Sequence, residues 1–376
     1  MQTKNRFLIY VFYDFQGYVE NYVRFMLKEL NKYYKKIVII VNGEIHEDGF
    51  LFFRSISDQI VTRSNYGYDG GAYKDAILNY LKNENWKSWY ELTLMNDSFY
   101  GPIFPMDEVF ELMDTKNVDF WGMTKLSHGI WYDGTSIPEH IQSYFITFRN
   151  SILRSEDFLA FWKGYKSIND FNKTVCDFEV YLTDFFSERK YSYTTYTELK
   201  GTIPNQDETK NTWMDYAYEC LKYCRMPFIK KKAFTVTNYG NAIKALDYIK
   251  NESEYDTQYI DEHIKRLDKN KQLIGRGIPY SFFELEHFFE THSRVFLYGN
   301  GNMKDCLKDY FDLTGKKIEG VIVSDKQNEA TYTLDEIYLK SNDGIIISVG
   351  SKYADEIYEI LKKNKIDDKN IIRPIF

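Results

Sequence analysis

The chain has 376 residues, 44% of them hydrophobic and 27% charged, with 48 Lys and Arg against 55 Asp and Glu for a net charge of −7. That length allows two or three domains with their own cores, and the acidic balance excludes a general nucleic-acid binder. No apolar run is long enough to span a bilayer, and the first residues carry no signal-peptide pattern, so a cytoplasmic setting is expected. The four cysteines, Cys176, Cys220, Cys224 and Cys306, form neither a disulfide framework nor a zinc ribbon.

Residues 7–12 form a first buried strand, and residues 13–17 the turn after it. Val19, Val23, Met26, Leu27 and Leu30 then recur at helical spacing. Residues 36–41 form a second strand, closed by Asn42-Gly43. Two continuously apolar strands joined by a helix point to a parallel sheet covered on both faces. A third short strand is expected at 59–62. The stretch from Arg63 to Lys74 is rich in glycine, and Gly70-Gly71 opens a helix with Tyr73, Ala76, Ile77, Tyr80 and Leu81 on its apolar face. Such a helix start offers free N–H groups and a positive dipole end to an anion. It is not a P-loop, because the Gly-Lys-Ser/Thr ending is missing. A plain turn capped by Asp69 is the competing reading.

A fourth strand ends in Asn96-Asp97-Ser98, ahead of Gly101-Pro102. In open α/β sheets ligands bind beyond the carboxyl ends of the strands, where Asp97 is suited to a divalent cation or a sugar hydroxyl. An Asx turn is the alternative there. Residues 119–124 give a fifth strand, and 125–139 a loop. Residues 140–148 alternate as one strand, which would turn His140, Gln142 and Tyr144 to one side as a pocket wall. Residues 175–186 give a helix that packs through Phe178, Leu182 and Phe185, with Asp177 at its start and Glu179 off that face. The basic segment at 227–234 suits a solvated turn or an anionic lipid surface. Residues 241–271 form a charged helical connector, with a hinge at Gly275-Arg-Gly277-Ile-Pro279. A small Rossmann-like unit follows, with strands at 294–298, 318–323 and 344–348. Its Gly299-Asn-Gly301 is an incomplete fingerprint, with Lys304 at the third glycine position and Asp325 at ribose-binding distance along the chain.

Taken together, Asn65-x-Gly67-x-Asp69-x-x-x-Tyr73-Lys74, Asn96-Asp97-Ser98-x-x-Gly101-Pro102, Asp119-Phe-Trp121-Gly122-x-Thr124 and His140-Ile-Gln142-Ser143-Tyr144-Phe145 resemble the rhamnan synthesis F family over residues 5–235 or so. These are bacterial glycosyltransferases that extend rhamnose-containing cell-surface polysaccharides. The resemblance implies an α/β chain with a glycosyltransferase A-type nucleotide-binding domain over 1–235. A helical connector (236–290) and the Rossmann-like unit (291–376) would follow. It implies inverting transfer of L-rhamnose from dTDP-β-L-rhamnose to a hydroxyl of a growing capsule, O-antigen or rhamnan, on a lipid-linked or polymeric saccharide acceptor. In this resemblance Glu179, or failing it Asp177, takes the acceptor proton. The donor falls to Asp14, Asn42, Asn65, Gly67, Asp69, Gly70, Gly71, Tyr73, Lys74, Asn96 and Asp97. The sugar or acceptor side falls to Trp121, His140, Gln142 and Tyr144. Transferases of this fold carry an Asp-x-Asp metal motif where this chain has Asn96-Asp97-Ser98. That leaves Asp97 as the single expected ligand of a Mg or Mn ion. Other polysaccharide-synthesis proteins, and the inner face of the plasma membrane, are expected neighbours. Two other functions fit the same residues: a nucleotide-dependent sugar-modifying enzyme using Gly299-Asn-Gly301, and a non-catalytic sugar-binding or scaffold subunit.

Overall fold

A strand that is apolar on both faces is stable only between two covering layers. Residues 7–12 are such a strand, and all six are fully buried. The computed structural model describes residues 4–126, 129–130, 136–197, 202–203, 215–235, 239–269, 280, 282–301, 303–304, 307, 311, 314–325 and 331–374. The chain divides into two compact units. The first is Met1–Pro204 with Met226–Phe228; the second is Asn205–Arg225 with Ile229–Phe376. The division thus falls near residue 204, and the helices expected as a connector belong to the second unit. The hinge at 275–279 and parts of the 125–139 loop lie outside the described residues.

The first unit is built on β1 (Arg6–Phe12), β2 (Lys36–Asn42), β3 (Gln59–Arg63), β4 (Glu91–Asn96), β5 (Phe120–Gly122), β6 (Phe145–Arg149) and β7 (Tyr193–Thr195). They form one sheet in the order β7-β5-β6-β4-β1-β2-β3. β6 runs antiparallel between β4 and β5, and the other pairings are parallel. The result is the mixed, parallel-rich α/β sheet that the sequence implies. Helices α1 (Asn21–Leu30), α2 (Glu47–Ile56) and α4 (Met106–Thr115) put aromatic side chains on one face, with Phe53 edge-on to Phe12 and Phe110 edge-on to Trp121. Helices α3 (Tyr68–Asp75), α5 (Glu156–Gly164) and α6 (Tyr181–Glu188) cover the other, where Tyr73, Trp162, Phe178 and Phe186 join Phe7, Ile9 and Val11 in one core. Helix α2 is not legible in the sequence, because it buries only Gly49, Phe52 and Phe53.

Two departures from the sequence reading shape the site. Residues 140–148 are not one strand. His140–Ile141 pairs with Lys125–Leu126, residues 143–144 turn, and β6 begins at Phe145. Nor does Asp177 begin a helix. The helical run starts at Phe171–Thr174 and passes through a π-helical stretch, Val175–Val180, into α6.

At the edge where β1 and β4 begin and the antiparallel β6 ends, three adjacent strands are locked by charge. Arg6 on β1 and Arg149 on β6 both stand directly opposite Glu91 on β4. Arg6 Nε donates to Glu91 Oε2 at 2.9 Å, and Arg149 Nε to Oε1 at 3.2 Å. Trp121 Nε1 adds a third donor at 3.3 Å. Arg6 also grips both carboxylate oxygens of Asp114 at 2.9 Å, which fastens α4 to the same cluster.

In the second unit, α7 (Ala217–Cys224), α8 (Tyr239–Glu252) and α9 (Gln258–Lys269) precede α10 (Phe282–Thr291) and a five-stranded parallel sheet. Its strands are β8 (Arg294–Tyr298), β9 (Gly320–Ile322), β10 (Thr331–Tyr332), β11 (Asp343–Ile347) and β12 (Ile371–Ile372). Their order is β10-β9-β8-β11-β12, that of a Rossmann-like sheet. Helix α11 (Ser351–Lys363) covers one face through Ala354, Ile357 and Leu361.

Removing one partner of a buried ion pair leaves the other charge stranded. Arg6→Met is expected to cost about 3–5 kcal/mol of stability. Lys32→Met, which breaks the exposed pair of Lys32 with Glu29 on α1, is expected to cost less than about 0.5 kcal/mol. Urea midpoints of the two variants check this; equal, small shifts would show that the Glu91 cluster is dispensable.

Candidate active site at the carboxyl edge of the first sheet

Because β6 is antiparallel, its start lies at the same edge as the carboxyl ends of β1, β2, β4 and β5. Polar side chains gather there. Asn96, the last residue of β4, accepts from Ser98 N at 3.0 Å through Oδ1, an Asx turn. Its Nδ2 donates to Asp69 Oδ2 at 2.6 Å. Asp97 beside it is 8% exposed. Among the described residues, the hydroxyls of Tyr10 and Tyr73 are buried with no hydrogen-bond partner. Burial first, and then the charges of Asp69 and Asp97, push both phenols well above their ordinary range. Two carboxylates, an amide and two unsatisfied hydroxyls therefore share one corner of the edge.

The turn at 143–144 extends the site. Asn96 N donates to Tyr144 O at 3.2 Å, which ties the turn to the end of β4. Thr124 Oγ1 bonds Gln142 Oε1 at 2.9 Å and the Tyr144 hydroxyl at 2.8 Å. Glu179, from the π-helical stretch, holds the turn from the other side. Its Oε2 accepts from Ser143 N at 2.8 Å and Ser143 Oγ at 2.5 Å, and its Oε1 lies 3.4 Å from His140 Nε2. That last separation is long for a hydrogen bond, and the His140–Glu179 contact is an ion pair when His140 is protonated. π-Bulges are frequent at functional sites, and this one directs Glu179 inward while Asp177 stays exposed. Burial alone would raise the Glu179 carboxyl, but His140 and Ser143 outweigh it and hold the group below its ordinary value. Burial opposes charge on His140, yet Glu179 and the Pro138 carbonyl raise it overall. Asp69, Asn96, Tyr144, Ser143, Glu179 and His140 thus form one connected chain of contacts.

Several residues expected at the donor or the sugar do other work. Trp121 is fully buried and donates to Glu91 at the opposite edge, so it packs the core and does not wall a cleft. Lys74 Nζ is engaged by the Tyr165 carbonyl. At Gly70 and Gly71 there is no room for a side chain: a Cβ on Gly70 would lie 2.5 Å from the Tyr165 hydroxyl, and one on Gly71 2.6 Å from Tyr66 O. Their small size admits the neighbouring chain. Gly67, with φ +75°, makes the tight turn into α3 after Asn65. Asn42 is buried and accepts from Arg63 Nη1 at 2.7 Å, so it braces β3. Asp14 Oδ1 accepts from Gln16 N and Tyr18 N, shaping the loop after β1.

That loop makes a feature the sequence reading missed. Residues 13–18 and 43–46 enclose a pocket of about 510 Å³ at the carboxyl ends of β1 and β2. Tyr13, Phe15 and Tyr18 line it, each about 40% exposed, and Tyr18 stacks on His46 with ring centroids 4.4 Å apart. Aromatics clustered just past a buried strand are the signal that could have revealed it.

Among the described residues no group of three or more His, Cys, Asp or Glu side chains converges as a metal cage. Asp69 and Asp97 suit instead a hard cation that completes its shell with phosphate oxygens and water.

The His140–Glu179 pair has a pH signature. A histidine raised above 6.5 contributes stability that is full below pH 6.5 and lost as pH rises through its folded pKa. A carboxyl lowered below 4.5 contributes stability that is full above pH 4.5 and lost as pH falls through its folded pKa. The stability gap between the native chain and His140→Gln is therefore expected to be widest between pH 4.5 and 6.5 and to narrow on both sides. Urea titrations across pH test this, and a pH-independent gap would exclude the ion pair.

Comparison with known proteins places the chain. A curated relative, the uncharacterized protein y4gN of Sinorhizobium fredii, is 29% identical over 153 residues, which is 40% of this chain. The chain spans 38% of the length of that relative. Among solved structures, a putative nucleotide-diphospho-sugar transferase from Desulfovibrio desulfuricans superposes with a TM-score of 0.29 at 14% identity, over 51% of this chain and 79% of its own. TarS of S. aureus gives 0.33 at 10% identity, over 72% and 44%. Core-mannan synthase A from Aspergillus fumigatus, in a Mn/GDP form, gives 0.23 at 12% identity, over 43% and 64%. Likenesses this slight carry no functional weight. The family match does: the model for rhamnan synthesis protein F covers residues 37–296, past the expected limit near 235 and into β8, and the chain belongs to that family.

Proposed function

We propose that the chain is an inverting nucleotide-sugar glycosyltransferase that moves L-rhamnose from dTDP-β-L-rhamnose onto a hydroxyl of a growing cell-surface polysaccharide at the cytoplasmic face of the membrane. One observation carries the reading. The chain belongs to the rhamnan synthesis protein F family, and motif residues from four separate segments of it, Asp69, Asn96-Asp97, Thr124 and Gln142–Tyr144, meet at one sheet edge.

In this reading the donor nucleobase enters the aromatic pocket after β1, and the diphosphate lies toward Asp69 and Asp97. Lys74 is engaged by the Tyr165 carbonyl, so in this reading the charge of the leaving group is met by a cation instead. Asp69 and Asp97 would hold a Mg or Mn ion there, and such an ion offsets charge on a departing diphosphate. The buried hydroxyls of Tyr10 and Tyr73 complete the polar lining. An acceptor hydroxyl is too weak an acid to attack unaided, so its proton passes to a carboxylate as the new bond forms. Glu179 is the first candidate, held in place by Ser143 and His140; the exposed Asp177 is the second.

Ligand that binds only the folded state raises the melting midpoint. dTDP-β-L-rhamnose with Mn²⁺ is expected to do so, and Asp97→Asn to abolish the shift. Glu179→Gln keeps an acceptor oxygen for Ser143, so it is expected to retain donor binding while losing roughly 10²-fold or more in turnover. No shift with any sugar nucleotide would overturn the proposal, and full turnover in Glu179→Gln would move the base to Asp177.

A further inference from the structure

The second unit holds a cavity that the glycosyl-transfer reading does not use. It measures about 350 Å³ and opens at the carboxyl ends of β8, β9 and β11. This is the switch point of the sheet, where β9 lies on one side of β8 and β11 on the other, and open parallel sheets bind ligands at such a crevice. Three loops are fixed around it. Gly299 has φ +123°, and a Cβ there would lie 2.4 Å from Val349 and 2.8 Å from Ser348 O, so only glycine lets the loop after β8 pass. Ser348 Oγ donates to Gly299 O at 2.9 Å, and Gly299 N to Ile322 O at 2.8 Å. Gly301 is different: among the described residues, nothing lies within 4 Å of a Cβ placed there. Lys304 Nζ bonds Asn300 Oδ1 at 3.0 Å, which stations a cation at this loop. Across the cavity, Asp325 stands exposed just past β9, and the half-exposed Tyr353 and the apolar Ile357 of α11 form a wall.

We propose that this cavity binds a ribonucleotide. Its phosphates lie against the Gly299–Gly301 backbone and Lys304. Its ribose diol is held by the Asp325 carboxylate, and its base lies along Tyr353. The carboxylate can accept from both ribose hydroxyls, so the site favours a ribonucleotide over its 2′-deoxy counterpart. That preference is opposite to the one expected of a deoxythymidine donor at the first sheet, so the two sites are separable by their sugars.

The test is calorimetric titration of the full chain with ADP, UDP and GDP and their 2′-deoxy forms. At least one ribonucleotide is expected to bind, with its deoxy form weaker by about tenfold, the worth of one good hydrogen bond to a charged group. Asp325→Ala is expected to weaken the ribonucleotide about tenfold and to erase the ribo-to-deoxy difference. Gly301→Val, whose new Cβ meets none of the described residues, should fold and lose binding; Asp97→Asn should leave it unchanged. No binding by any of the three, binding undiminished in both Asp325→Ala and Gly301→Val, or binding abolished by Asp97→Asn would each overturn the proposal. The first two of those outcomes leave the sugar-transfer reading of the first sheet untouched, and the third would place the ribonucleotide at the first sheet.

Discussion

Glu91 is the point on which the first unit turns. It is 1% exposed at the start of a central strand, with an arginine on the strand to either side. A buried carboxylate without partners would be prohibitively costly. Here the two guanidinium groups and the Trp121 indole fill its lone pairs. Register follows from this. A one-residue slip of β1 or β6 against β4 would break the pair and invert every side chain on the shifted strand. Arg6 further carries Asp114, so α4 is indexed to the same cluster.

With register fixed at the amino-terminal edge, the other edge can be polar and irregular. There β4 ends in an Asx turn, the chain between His140–Ile141 and β6 makes a tight turn, and a helix widens into a π turn. Each irregularity exposes backbone groups that need partners, and side chains supply them: Asn96 for Ser98 N, Glu179 for Ser143 N, Thr183 for Ile141 N. Among the described residues, the hydroxyls of Tyr10 and Tyr73 are buried and unsatisfied beside two carboxylates. Buried polar atoms left over in a well-bonded neighbourhood are where a ligand has the most to gain.

The two sheets put their strand ends to different use. The first surrounds its carboxyl edge with aromatic and acidic side chains from many segments. The second offers a narrower crevice framed by three short loops, with glycine backbone on one side and an acid on the other. Unused space at a switch point is a poor use of a parallel sheet, whose strands need both faces covered and whose loops alone are free to vary.

The sequence by itself determined the parallel core. Runs such as 7–12 and 37–41 are apolar at every position, and only a strand between two helical layers buries both faces of such a run. It also determined the order of the motifs that give the family, and the carboxyl edge of β4 as the place to look. What it did not contain was which polar residues meet. Asn42, Lys74, Trp121 and the Gly70-Gly71 pair resemble donor or sugar ligands by type and position. Yet their partners, Arg63, the Tyr165 carbonyl, Glu91 and Tyr165 with Tyr66, lie on other elements. The pairing of His140 with Glu179, 39 positions along the chain, is equally invisible to periodicity, which records what one element does with its own faces. Hydrogen bonding and charge act between elements, so the tertiary structure alone decided which of these side chains brace the scaffold and which remain for a ligand.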